Sequence, residues 1–308
     1  GLIQYRMTIH KLDGAGAQPM VAMSATATKR SWQVIAVAML GLAVVTYLMI
    51  SGQLSFDPVT MAQYVAIAIT VVFLAYYAGV FFFGNLDGNE KRSLGALFLV
   101  CLASIFFWTG FEQAGSSLNL FGRDYTERML GDFEIPTAWF QSANSFFIII
   151  LSPFFAALWI NLAKRMLTPS YGLKCAVGLI IMATGFLVMF FAAQAAATGL
   201  RVAPYWLVAT YFLHTVGELC LSPVALAAVS KLSPKRFAGQ MMGVFVLTYS
   251  IGNVIAGLLA GNFDPNKVED MPNMYLQISL FTIAIGIVIF LLSFKTKAWE
   301  KLAENKQA

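Results

Sequence analysis

The chain has 308 residues, 59% of them hydrophobic and 11% charged, with a formal charge of +5 and a mean hydropathy of +0.73. A soluble domain is about 45–50% apolar and roughly 25% charged, so this composition excludes a water-soluble globule and points to an integral membrane protein. The basic excess then bears on how the chain is threaded and implies no nucleic-acid partner.

Residues 1–30 are polar and rich in Gly, Ala and Thr, a linker composition, and Gly1-Leu2-Ile3-Gln4-Tyr5-Arg6 reads like the exit of a preceding helix. Apolar segments follow at approximately Trp32–Ile50, Met61–Phe83, Leu94–Phe121, Trp139–Leu162, Leu173–Ala195, Tyr205–Ser230, Gly239–Gly261 and Met274–Phe294. Each is long enough to cross about 30 Å of hydrocarbon at 1.5 Å per residue. Barrel strands would be about ten residues of alternating pattern, which these segments lack, so the fold class is all-α. Cys101, Cys175 and Cys220 lie within apolar runs at spacings that suggest no metal site and no disulfide framework. Pro153 and Pro223 fall inside spans, where they permit bends. Gly257 and Gly261 offer a site for close helix contact.

The charges fix an orientation. Of the 20 Lys and Arg residues, 16 fall in residues 1–30, in the second, fourth and sixth connections and in the tail; Arg123, Arg128, Arg201 and Lys267 occupy the intervening ones. Cytoplasmic loops carry the basic excess, which places both ends in the cytoplasm. Of the 15 acids, Glu112 and Glu218 alone fall within spans, and no base in any span can neutralise them. An intramembrane charge costs about 2.5–3.5 kcal/mol even on insertion scales. Such a carboxylate is protonated, hydrated in a cavity, or paired with a group from elsewhere.

Helical spacing would put Trp108, Glu112, Ser116 and Asn119 on one face of the third span, and His214, Glu218 and Ser222 on one face of the sixth. Gln141, Ser142 and Asn144 enter the fourth span, and Thr248, Tyr249, Ser250 and Asn253 lie on the seventh. Polar stripes on several spans converge most economically on a shared cavity. The competing reading is that Ser and Asn satisfy themselves on helix carbonyls, and that a lone His is packed rather than functional. No HExxH, GxSxG, paired Cys or phosphate-binding loop is present. The sequence therefore reads as a transporter, not an enzyme, with no metal and no cofactor.

The run Phe106–Phe121, FFWTGFEQAGSSLNLF, resembles the first C-half helix of the proton-dependent oligopeptide transporters. His214–Val224 with Lys231–Pro234 is similar to that family's fourth C-half helix, and Trp139–Asn144 and Gly239–Gly243 also match in order. The resemblance implies a major facilitator architecture: a six-helix C-terminal bundle at 93–297, two inserted transmembrane helices at 31–92 and a cytoplasmic tail at 298–308. A partner six-helix N-terminal bundle would precede the chain. It further implies proton-coupled symport of di- and tripeptides across the cytoplasmic (inner) membrane by alternating access. Glu112 would serve proton coupling, and Glu218, Asn144, Trp108 and Ser222 would bind substrate. Ser116, Asn119, Gln141, Asn253 and Phe245 are candidate cavity-lining residues. Phe245, Ser145 and Ala225 depart from residues common in the family, which bears on side-chain selectivity. Uptake of nitrate or another small solute is the same-family alternative, and Glu218 disfavours an anion there; a membrane-embedded enzyme is the alternative from another class.

Overall fold

A computed structural model describes residues 24–53, 57–165, 167–261 and 268–305. Most of the expected N-terminal linker, Lys267 and the last residues of the tail lie outside the described residues. The helices are α1 (Ala25–Ile50), α2 (Pro58–Phe83), α3 (Gly88–Phe111), α4 (Ser117–Asp124), α5 (Thr137–Lys164), α6 (Tyr171–Ala196), α7 (Tyr205–Leu232), α8 (Ala238–Ala260) and α9 (Met271–Asn305). A 3₁₀ turn, Glu112–Gly115, separates α3 from α4, so the third apolar segment is a broken helix. Among the described residues, eight stretches are long and apolar enough to cross a membrane, α3 and α4 counting as one. A short hairpin, β1 (Met129–Leu130) and β2 (Phe133–Glu134), turns through Gly131 in the left-handed region at φ 64°.

The chain divides into two compact units, 1–58 and 59–308. In the first, α1 contains Lys29 and Arg30, so helix begins before the expected linker has ended. In the second, α3 is the central element and packs against α6, α7, α8 and α9. The pairs α6–α9 and α6–α7 close one side, and α5 lies on α7. Helices α8 and α9 follow one another in sequence yet both rest on α3 rather than on each other.

Lipid tails are as apolar as Leu, so burial alone does not drive helix against helix; close packing between small residues does. Helices α6 and α7 cross at Gly178 and Gly217, where a Cβ on either would lie 2.6 Å from the other's carbonyl oxygen. Helices α3 and α8 meet at Gly252, where a Cβ would lie 2.6 Å from the Trp108 Cβ and 2.9 Å from the Ile105 carbonyl. Among the described residues no helix packs on Gly257 or Gly261, and the close approach of α8 falls instead at Gly252, more than one turn earlier. Pro153 and Pro223 sit inside α5 and α7, which continue on either side.

The α2 helix is tied to α3 by aromatics: Phe73 and Tyr77 stack around Phe98, and the Tyr77 hydroxyl donates to the Leu94 carbonyl. Asp87 caps α3 through the Asn89 and Glu90 amides, while Glu90 accepts from the Asp87 amide, a reciprocal capping box. Across this end, the Arg236 guanidinium donates to the Asn85 carbonyl at 2.5 Å and lies 3.7 Å from Glu90. The Tyr76 hydroxyl donates to Gln240 Oε1 at 2.7 Å.

The far end of α9 departs from a free tail. The helix runs on to Asn305, and Glu300 is 4% exposed. Its carboxylate accepts from the Tyr171 amide at 2.8 Å and the Gly172 amide at 3.4 Å. Ser170, the N-cap of α6, takes the Leu173 amide at 3.2 Å. The open donors of the first turn of α6 are thus satisfied by its own serine and by a carboxylate from 128 residues away.

Candidate functional site

The α3–α4 break organises the polar groups. Helix interruption frees backbone carbonyls and amides that need partners within a membrane, and neighbouring helices supply them. Gln141 on α5 donates to the Ala114 carbonyl at 3.1 Å, and the Tyr211 hydroxyl on α7 donates to the same oxygen at 3.4 Å. Gln113 donates through Nε2 to the Ala256 carbonyl on α8 at 3.1 Å, and its Oε1 accepts from Ser117 at 2.8 Å and Ser116 at 3.3 Å. The Tyr275 hydroxyl on α9 donates to the Ser117 carbonyl at 3.2 Å. Four helices therefore stitch one break. Gln141 is occupied in this stitching.

Glu112 opens the 3₁₀ turn and is half-buried. Because the helix stops at Phe111 and Ser116 leaves helical geometry (φ −123°, ψ −97°), the regular stripe of Trp108, Glu112, Ser116 and Asn119 is not continued as an α-helical face. The Asn119 Oδ1 and the Trp108 Nε1 are each buried without a hydrogen-bond partner among the described residues. The Trp108 ring meets Tyr249 edge-on at 4.8 Å and Phe111 at 5.3 Å.

Glu218 and Asn144 are brought together from α7 and α5. The Asn144 amide donates to Glu218 Oε2 at 3.1 Å and to Thr215 Oγ1 at 3.0 Å, while Thr215 donates to the Tyr211 carbonyl at 2.7 Å. The sequence reading passed over Thr215; its signal is its place one turn before Glu218, on the same side of α7. Tyr249 also lies within electrostatic reach of Glu218, which links that acid to the Trp108 side of the site. Among the described residues no cation pairs with Glu112 or Glu218.

The other candidates separate. Ser222 Oγ is buried without a partner among the described residues, and Asn253 is exposed on α8. Phe245 does not line an open surface: it is 1% exposed, inside the bundle, with its ring 5.3 Å from Tyr249. His214 does not join Glu218. It is wholly buried against α6, where Phe186 lies 4.9 Å away and a Cβ on Gly185 would stand 2.7 Å from its ring. A helix face wide enough to carry both residues presents them to different neighbours, α6 for His214 and α5 for Glu218. The three cysteines are buried, as their apolar runs imply.

The family model PTR2, described as the POT family, matches residues 60–275. The chain is 38% identical over 258 residues to "Peptide transporter YePEPT" of Yersinia enterocolitica, covering 83% of this chain and 50% of that protein. It is 31% identical over 214 residues to "Dipeptide and tripeptide permease A" of Escherichia coli, covering 67% and 42% respectively. A crystal structure of the peptide transporter POT in complex with sulfate superposes with a TM-score of 0.82 at 28% identity, covering 97% of this chain and 59% of that one. The chain spans about half the length of the curated relatives it matches.

Proposed function

Since the chain belongs to the POT family, and its relatives and structural neighbours are transporters, we propose that this multi-pass membrane protein works in proton-coupled di- and tripeptide symport. In this reading α3–α9 are the C-terminal six-span bundle, α1 and α2 the inserted pair, and the facing N-terminal bundle is supplied by sequence outside these 308 residues. Both ends face the cytoplasm, the membrane is the cytoplasmic one, and the cycle is alternating access. No catalysis is assigned.

The observation that carries the proposal is the Asn144–Thr215–Glu218 cluster. Asn144 fixes one carboxylate oxygen of Glu218 and leaves the other for a ligand. A peptide ammonium there would gain a charge-assisted bond of about 1.5–3 kcal/mol. Trp108, Tyr249 and Ser222 would border the peptide's side chains, tolerant of composition because aromatic surfaces are not selective for one shape. Glu112, at a helix break and without a cation of its own, is the group proposed to exchange a proton as its partner from the facing bundle comes and goes. A carboxyl in low dielectric is neutral when unpaired and charged when paired.

The test is uptake of a labelled dipeptide by vesicles holding the complete transporter, with and without an inward proton gradient. Gradient-driven accumulation is expected. Neither accumulation nor exchange would sink the peptide reading, and accumulation indifferent to the gradient would sink the coupling.

A further inference from the structure

Because α8 and α9 both lean on α3 without packing on each other, a cavity of about 800 Å³ opens between them. Its two ends differ in chemistry. Asp270, Asn273 and Gln277 mark the outer end, at the start of α9, and are exposed. Phe106, Ile255, Leu259, Ile278 and Phe281 line the deeper part, where the Phe106 and Phe281 rings meet edge-on at 5.9 Å to form its floor. Along α9, the distance from Asp270 to Phe281 is about 16 Å at 1.5 Å per residue. That is close to one leaflet, half of the ~30 Å hydrocarbon core. No basic side chain lines the cavity among the described residues, and Glu269 adds a second exposed acid beside Asp270.

A groove one leaflet deep, apolar below and with the Asp270 carboxylate at its mouth, suits an amphiphile with a cationic, hydrogen-donating head. We propose that it seats a phospholipid bearing a primary ammonium headgroup, such as phosphatidylethanolamine, with the ammonium at Asp270 and an acyl chain along Ile278 and Leu259 to the Phe106–Phe281 floor. On the orientation proposed above this is the extracytoplasmic leaflet. The site is distinct from Glu218 and Asn144, which lie on α7 and α5, helices that contribute nothing to the groove. It depends on the chain lying in a bilayer and not on the identity of the transported solute.

The charge selects among headgroups. A primary ammonium offers three N–H donors to the carboxylate, the quaternary ammonium of phosphatidylcholine offers none, and the anionic head of phosphatidylglycerol is repelled. The test is native mass spectrometry of the complete, delipidated transporter titrated with these three lipids, matched in chains. One phosphatidylethanolamine per transporter should be retained in preference to the other two. Asp270→Asn, at an exposed position, should weaken that retention about tenfold, the lower end of what a charge-assisted bond supplies. Leu259→Trp, which narrows the groove, should reduce retention of all three lipids, while dipeptide binding stays unchanged in both variants. Equal retention of phosphatidylglycerol, or retention of phosphatidylethanolamine indifferent to both substitutions, would overturn the proposal.

Discussion

The clasp between Glu300 and the start of α6 allows a stability prediction to be worked from its geometry. Glu300→Gln keeps size and shape but removes the charge and replaces one acceptor oxygen with an NH₂ group. Two amides now converge on that carboxylate, at 2.8 and 3.4 Å. A glutamine oxygen can serve one of them, and its NH₂ would face the other, donor against donor. Losing a hydrogen bond to a charged group costs about 1.5–3 kcal/mol. Loss of a negative charge at a helix N-terminus adds about 0.3–1 kcal/mol, more where burial reduces screening. Relief from holding a charge at 4% exposure offsets part of this. The net expectation is a destabilisation of about 2–3 kcal/mol, in the upper part of the range for losing a charged hydrogen bond. For a bundle of this size that corresponds to a fall of about 5–10 °C in apparent melting temperature. The assay is thermal unfolding of the complete protein in one fixed detergent and lipid mixture. Ser170→Ala, which removes the other cap of the same turn, should cost about 1 kcal/mol. Because both caps serve one turn, the double variant should depart from additivity. A Glu300→Gln protein that melts within 1–2 °C of the parent, where roughly 2–4 °C per kcal/mol is expected, would show that the carboxylate does not hold the two helices together.

Other outcomes follow from the same structure. Glu112→Gln should abolish gradient-driven accumulation and leave some exchange, read in the same vesicles; undiminished accumulation would remove Glu112 from coupling. Asn144→Ala should raise the dipeptide KM about tenfold, by loosening the Glu218 carboxylate at a cost of about 1–2 kcal/mol; an unchanged KM would mean that Glu218 is positioned without it. Gly217→Ala places a methyl group 2.6 Å from the Gly178 carbonyl oxygen, and should cost about 1–3 kcal/mol as an overpacked site. A folded yield and melting temperature equal to the parent's would refute the closeness of that crossing.

The membrane fold is legible because its signal is repeated: a bilayer demands some twenty apolar residues per crossing, and a run of that length is plain even where its ends are not, as at α1, which already begins at Ala25 within the expected linker. Asn144 and Glu218 enter as substrate-binding residues through the family resemblance, and the structure adds the hydrogen bond between them. The break after Phe111 was harder to see. Gly115, Ser116 and Ser117 mark it, since a Gly/Ser cluster is a common site of helix kinks, but the surrounding hydrophobicity reads straight through. The even spacing of Trp108, Glu112, Ser116 and Asn119 assumed a helix that in fact stops. His214 takes the packed alternative, against α6, and Phe245 lies inside the bundle; periodicity tells which residues share a face, and only packing tells which neighbour that face meets. Glu300 looked like tail because charge and chain position are local properties, whereas its partner amides lie 128 and 129 residues away.

One consequence of how α2 is fastened bears on measurement. Phe73 is 1% exposed and Tyr77 is 6% exposed, both held against α3, whereas Val71, Val72 and Leu74 point away. The Arg236 bond to the Asn85 carbonyl and the Tyr76 bond to Gln240 carry the attachment onward to the start of α8. A spectroscopic label at Leu74 would therefore follow the α3–α8 frame closely and leave the Asn144–Glu218 cluster untouched. Paired with a second label elsewhere in the complete protein, it offers a fixed ruler's end for recording how far that frame travels in the proposed alternating-access cycle.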